Sequence, residues 1–418
     1  MQSIREDAHI IIQDSINGVL PEAAVMRALN NKKFTGNIVV IAIGKAAWTM
    51  ANATKNSLGD QISKGVVITK YKHSQGEIEG FQIMEAGHPV PDSNAIEGAN
   101  EALKLVEGLT KDDHVIFLIS GGGSALFEKP MEGVELEDIM DITNQLLACG
   151  ADIVEINTIR KRLSAVKGGK FASLCSHTNI FSIVLSDVIG DRLDSIASGP
   201  AHFDSSTSEE ALAIIKKYNL DIEDKIKEVL KIETPKKIDN CETVITGSVT
   251  ALCEAAGKSA EKLGYHSVVL TSTLECEAKE AGKFMAAIAK EIKETSKGRG
   301  SFQPPCAIIA GGETVVRIIG NGKGGRNQEL ALAAAIEIEG LEDTVLFSLG
   351  SDGTDGPTDA AGGIVDGKTV ERLKAENILP EVYLDNNDSY HALKVSEDLI
   401  MTGSTGTNVN DVVVLLCK

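Results

Sequence analysis

Aromatic residues are scarce in this sequence, at 4% with a single Trp, and no CxxC pair occurs among its 7 cysteines. An odd cysteine count without metal-ligand spacing excludes a complete disulfide framework and argues against a structural zinc site. Cys149, Cys241, Cys253, Cys306 and Cys417 stand in apolar runs, which predicts buried free thiols. No apolar run reaches the roughly 18 residues of a membrane span. The opening stretch, MQSIREDAHIII, carries charges where a signal peptide needs an apolar core, so the expected compartment is the cytoplasm. Positive charge is also in deficit. With 41 Lys and Arg against 60 Asp and Glu, the formal charge is -19, which repels nucleic acid and anionic membrane surfaces. Linker tracts, low-complexity segments and sequence repeats are missing too.

What is present suits an α/β protein. At 418 residues and 43% hydrophobic content the chain can build two cores. Short continuous apolar runs, as buried strands have, alternate with amphipathic helical stretches. Strands are predicted at Asn37–Ile43, Gly65–Thr69, Phe81–Glu85, His114–Ser120 and Ile180–Leu185. After the polar, proline-broken stretch Glu233–Asn240, the best linker candidate, they resume at Glu242–Thr246, Ser267–Leu270, Cys306–Ala310, Thr344–Leu349 and Val412–Leu416.

Several strands run straight into glycine turns, where open α/β sheets collect their ligands. The first strand ends at Gly44-Lys45-Ala46-Ala47. His114–Ser120 ends at Gly121-Gly122-Gly123-Ser124, whose unobstructed N–H groups suit a phosphate or carboxylate. Ile180–Leu185 leads to Asp187 and Asp191, carboxylates placed to hold Mg²⁺ or to cap a turn. Cys306–Ala310 leads to Glu313, a second apolar run to Ile319, and then Gly320, Gly322, Gly324 and Gly325 beside Lys323 and Arg326. This second loop, opening a helix at Asn327, also suits an anion. Asp352 and Asp355 lie in another glycine-rich turn, and Thr405 and Asn408 in a late polar loop. Arg160 belongs to the basic run Ile159–Lys170, which ordinarily reads as a solvated helix face. His88, in a proline-fixed loop, reads as structural. Gly362–Thr369 matches a phosphate-binding lysine loop only in letters, because no buried strand precedes it.

Taken together, GKAA at 44–47, SGGGSAL at 120–126, NTIRKRLSAVKGGK at 157–170, SDVIGD at 186–191, ASGP at 197–200, GGET at 311–314, GKGGRNQE at 322–329, GSDGTDGPTDAAGG at 350–363 and TGSTGTNVND at 402–411 resemble the type II glycerate kinases, which carry a carboxyl-terminal MOFRL domain. Ser404 stands where that family often has proline. The resemblance implies two three-layer α/β domains, a Rossmann-like one at 1–237 and a smaller MOFRL-type one at 238–418, with an active-site cleft between them. It implies ATP-dependent, Mg²⁺-assisted phosphorylation of D-glycerate to 2-phosphoglycerate, with Lys45 and Arg326 as the essential cations; the chemistry of the residues themselves adds Asp187 as metal ligand or as acceptor of the 2-hydroxyl proton. Substrate or nucleotide contacts are then expected from Ser120, Gly121, Gly122, Gly123, Ser124, Arg160, Glu313, Lys323, Gly324, Asn327, Thr405 and Asn408. Asp187, Asp191, Asp352 and Asp355 are the metal candidates. The partners are small molecules, with a homodimer left open. A nicotinamide-dependent hydroxypyruvate reductase and a non-catalytic sensor of sugar acids or nucleotides are the alternatives. The first would need a full GxGxxG turn after a strand, which the sequence lacks.

Overall fold

The computed structural model describes residues 3–295 and 302–418. The chain forms two compact units, Ala24–Thr246 and a discontinuous one made of Met1–Ala23 with Gly247–Lys418. This division differs from the expected 1–237 and 238–418 in two places. The first helix belongs with the second half of the chain. The polar stretch around Glu233 is no linker, because Arg162 donates to Glu233 at 3.2 Å and Thr234 Oγ1 to Asp204 at 2.8 Å, tying it into the first unit.

The unit Ala24–Thr246 holds β1 (Ile38–Ile43), β2 (Ile62–Lys70), β3 (Phe81–Ala86), β4 (His114–Ile119), β5 (Asn179–Leu185) and β6 (Cys241–Gly247). They form one sheet in the order β3-β2-β1-β4-β5-β6, and β1 to β5 pair in parallel. Every residue of β1 is buried, as a strand covered on both faces must be. Valines and isoleucines of β1, β2 and β4 supply two apolar layers, Phe117, Phe127 and Phe171 filling one of them. The strand order reverses direction between β1 and β4. That switch point opens a crevice at the carboxyl ends of these two strands.

The discontinuous unit holds β7 (His266–Leu274), β8 (Cys306–Gly312), β9 (Thr344–Gly350), β10 (Gly362–Asp366), β11 (Leu399–Ile400) and β12 (Asp411–Cys417), in the order β11-β10-β9-β12-β8-β7. Only β7 and β8 pair in parallel; β12 runs antiparallel to both β8 and β9. Its register sets Asp411 opposite Gly312 and Gly350, so the start of β12 meets the ends of β8 and β9. The helix Ile4–Val19 buries Ile11, Ile12, Ile16 and Val19 in this unit, packing on the helix Val249–Lys262.

Two local expectations change. The basic run Ile159–Lys170 is not a solvated face: Lys161, Arg162 and Lys167 are buried. Lys170 donates to the carbonyls of Lys161, Arg162 and Ser164, which lack partners at the end of the helix Ile153–Leu163. Burial lowers the Lys167 and Lys170 ammonium groups to about 8, and Lys167 is held 2.9 Å from buried Glu128. All seven cysteines are free; Cys253, Cys306 and Cys417 are buried as expected, but Cys241 is only partly buried and Cys149 is exposed. Among the described residues no helix is long and apolar enough to cross a membrane.

Candidate active-site rims

In the unit Ala24–Thr246 the turns after β1 and β4 are fastened to each other. Ser120 Oγ accepts from the Ala46 N–H at 3.1 Å and donates to the Ile43 carbonyl, while the Lys45 N–H donates to the Gly121 carbonyl at 2.9 Å. Ser120 is thus committed to holding the crevice in shape. Glycine is required at 121, where a Cβ would stand 2.3 Å from Asp187 Oδ2, and at 122, where φ is +86°. These approaches bring Asp187 against one side of the turn. The Gly121, Gly122 and Ser124 N–H groups have no acceptor among the described residues. The Lys45 ammonium likewise has no ion-pair or hydrogen-bond partner among them. The rim offers free donors and an uncompensated cation at the sheet's switch point.

A second set of motifs props this turn from below. Ser124 Oγ meets Ser198 Oγ at 2.7 Å, Ser198 donates to Asn157 at 3.2 Å, and Arg160 donates to the Ser124 carbonyl at 3.3 Å. Arg160 Nε is buried without a partner, and burial lowers the guanidinium pKa against the opposing charge of Glu128. Asp191, at φ +52°, also keeps a buried Oδ1 without a hydrogen bond.

The discontinuous unit carries a candidate site of its own, a cavity of about 1060 Å³ at the ends of β8 and β9 and the start of β12. Arg326 opens the helix Arg326–Glu337 and reaches back to Asp411, with Nε to Oδ2 at 2.5 Å and a second bond at 3.1 Å, and to Glu313 at 2.7 Å. Burial alone would lower the Arg326 pKa; the bonds and charge of Asp411 and Glu313 raise it instead. Asp411 is pulled the other way. Burial pushes its carboxyl up to about 6 despite the guanidinium. The two-point geometry requires both groups to be charged at neutral pH.

The glycine loop beside Arg326 is not the open anion cradle expected. The N–H groups of Ile319 and Gly320 donate to Asn387, that of Asn321 to Asn386, and that of Lys323 to Asp388. A Cβ at Gly320 would lie 2.2 Å from the Asn386 carbonyl oxygen, and one at Gly325 would lie 2.3 Å from Asp355. These glycines let backbones touch. The helix amino end is filled as well, since Asp355 accepts from the Asn327 and Gln328 N–H groups at 3.2 and 2.9 Å. Asp355 therefore caps a helix, its charge disfavoured by burial, and has no oxygen left unengaged for a cation. Asp352 accepts from Thr354 in its own turn. Asn327 is buried between Asp355 and Ser348, Thr405 donates to the Ser351 carbonyl, and the Lys323 ammonium sits over the Tyr390 ring. Gly324 packs against Ser389; Asn408 lines the cavity.

Of the residues expected from the sequence, Lys45, Gly121, Gly122, Gly123 and Asp187 come together in the unit Ala24–Thr246, and Glu313 and Arg326 in the discontinuous unit. The sequence did not single out Asp411, and His88 read as structural. Asp411 carried one faint signal, a carboxylate where a polar loop enters the closing apolar strand. The His88 ring lies 3.0 Å from where a Gly122 Cβ would be, with Lys45 Cγ 3.3 Å from the same point.

Two family models match parts of the chain: one described as a domain of unknown function, DUF4147, at residues 7–231, and one described as the MOFRL family, at 306–411. A doubly wound sheet with a lysine at its switch point, joined in one chain to a MOFRL module, defines the class. D-glycerate 2-kinase of Thermotoga maritima is 52% identical over 99% of this chain and 98% of its own. A crystal structure of glycerate kinase from the same organism superposes with a TM-score of 0.95 at 51% identity, covering 99% of both chains. A protein of Agrobacterium vitis provisionally named a hydroxypyruvate reductase is 37% identical over 99% of this chain and 94% of its own. The chain belongs to the MOFRL-type glycerate kinase family.

Proposed function

We infer that this protein is a glycerate 2-kinase that transfers the γ-phosphoryl group of ATP to D-glycerate. The observation that carries the assignment of chemistry to residues is the unpaired Lys45 ammonium beside the open Gly121, Gly122 and Ser124 N–H groups. Phosphoryl transfer asks a protein for positioning and for positive charge around the equatorial oxygens, with little covalent participation. Lys45 and the glycine-turn amides supply both to a phosphate or to the glycerate carboxylate. Arg326, aligned by Asp411, supplies the second required cation.

Mg²⁺ when bound neutralises phosphate charge. Among the described residues no three His, Cys, Asp or Glu gather to hold a metal; magnesium is commonly held by one or two carboxylates and completed by substrate phosphates. Asp187, against Gly121, and Asp191, with its buried free oxygen, are the carboxylates that suit it. The protein acts in the cytoplasm on small molecules.

The test is phosphorus NMR of the product formed from ATP and D-glycerate. A doublet from phosphate on carbon 2 is expected; a triplet, from phosphate on the terminal CH₂, overturns the regiochemistry. The name of the Agrobacterium relative favours a second reading, hydroxypyruvate reduction. The turn after β1 is Gly44-Lys45-Ala46-Ala47, without the GxGxxG pattern that seats a dinucleotide pyrophosphate. NADH consumption on hydroxypyruvate with no phosphoester formed would establish that reading instead.

A further inference from the structure

His88 follows β3, at the edge of the parallel sheet, yet its ring reaches the turn after β4. A Cβ built on Gly122 would stand 3.0 Å from His88 Cδ2, 3.1 Å from Nε2 and 3.3 Å from Lys45 Cγ. The imidazole, the lysine stem and the glycine turn therefore share one spot, and a side chain at 122 would fill it. Neither ring nitrogen of His88 has a hydrogen-bond partner among the described residues, although the ring is half-buried. A half-buried imidazole with both nitrogens free, in the crevice where substrates of such sheets bind, is placed to take a partner from the substrate.

The surroundings select its form. Burial lowers the His88 pKa first, and the charges of Lys45, Lys70 and His73 lower it further. The carboxylates on the same rim are Asp187, against Gly121, and Asp92, which caps the helix Ser93–Val106 and accepts from Tyr71. Both effects favour the neutral ring, in which one nitrogen carries a lone pair. Beside the Lys45 stem and the glycine-turn N–H groups, it sets a nitrogen acceptor against the Gly122 turn. Its natural complement is a hydroxyl.

We propose that His88 is a catalytic residue that accepts the proton of the glycerate hydroxyl undergoing phosphorylation. This rests on the kinase reading above. The hydroxyl oxygen forms its bond to the γ-phosphorus of ATP, and the bond from that phosphorus to the β,γ-bridging oxygen breaks, its electron pair leaving with ADP. The hydroxyl proton passes to the free ring nitrogen of His88 and then to water. Asp187 is left to its place against Gly121 as a metal ligand.

The experiment compares His88→Ala, His88→Gln and Lys45→Ala, each checked by thermal melt. Both His88 variants should lose roughly a hundredfold or more in kcat, the scale of a positioned general base, while the KM for ATP changes little. Added imidazole should restore His88→Ala in a saturable manner and leave Lys45→Ala inactive. In wild-type protein without ATP, D-glycerate should shift the imidazole Cε1 proton resonance that is missing from His88→Gln. A His88 variant within threefold of wild-type kcat, a folded His88→Ala that imidazole does not restore, or a resonance that glycerate leaves unmoved would each overturn the role. Those results with Lys45→Ala inactive overturn His88 alone. Full turnover in Lys45→Ala overturns the reading of the rim itself.

Discussion

The two glycine-rich turns that flank a cation look alike as sequence and differ as chemistry. Among the described residues Lys45 stands unpaired beside N–H groups with no acceptor, whereas Arg326 is held by two carboxylates and the loop next to it has spent its N–H groups on Asn386, Asn387 and Asp388. The first rim is built to receive charge, and the second has already balanced it. The difference comes from what the glycines serve. At 121 and 122 they keep space open, and at 320 and 325 they close it.

The largest effects should come from the cations themselves. Lys45→Ala and Arg326→Ala are each expected to lower turnover by roughly a hundredfold or more, as for loss of a preorganised charge at a transition state; Lys45→Ala should melt as wild type, and Arg326→Ala should melt lower because it leaves buried Asp411 without its partner. Near wild-type turnover in either folded variant would show that its rim is not part of the chemistry.

Next comes the pairing that sets the second rim apart. Asp411→Asn should reduce kcat/KM by roughly ten- to a hundredfold, because it frees the Arg326 guanidinium to leave its aligned position. Its raised carboxyl also gives a pH signature. Asp411 is charged above about 6 and neutral below, so wild-type activity should fall as pH drops through that value, and the Asn variant should lack that limb. For stability the sign is opposite: between the ordinary 3.8 and about 6 the folded state binds the extra proton, so this group favours folding as pH falls through that window. A pH profile identical in wild type and variant would remove Asp411 from the site.

A smaller effect, on stability, tests the filled helix end. Asp355→Ala should cost about 1–2 kcal/mol, the scale of a lost amino-terminal cap, read from a denaturant midpoint. No change would mean the helix Arg326–Glu337 does not depend on it. The smallest effect is expected at Lys368. The apparent phosphate loop is β10 itself, a strand paired with β9, and Lys368 lies exposed beyond it. Lys368→Ala should change ATP affinity less than about threefold, against the loss that follows removal of a phosphate-bound lysine, and calorimetry on the folded variant decides.

The strands were legible because each long apolar run had one reading, and so was the crevice, because Lys45 and Gly121 directly follow two of them. The state of the Arg326 loop was not legible, since the partners that fill it lie more than sixty residues downstream. The basic run at Ile159–Lys170 misled for a related reason. Lys170 has no acid at helical spacing; it is satisfied by three backbone carbonyls that only the folded helix end presents. His88 and Asp411 gave no periodic signal, because one residue in a loop and one at a strand start acquire meaning only from the register that brings them to Gly122 and Arg326.

The helix Ile4–Val19 gives the order of synthesis a consequence. Its Asp7 accepts from Tyr265 at 2.7 Å and pairs with Lys418 at 2.7 Å, and its Arg5 pairs with Asp366 at 2.6 Å and with Asp398. The ribosome delivers that helix well before Tyr265, Asp366, Asp398 and Lys418. The stretch Ala24–Thr246 can condense as soon as it emerges, while an apolar helix waits at its front for a body still being made. A nascent chain stalled near residue 250 should therefore present Ile11, Ile12 and Ile16 to solvent as a handle for chaperones, and a fragment beginning at Gly247 should regain solubility when the peptide 1–23 is supplied in trans.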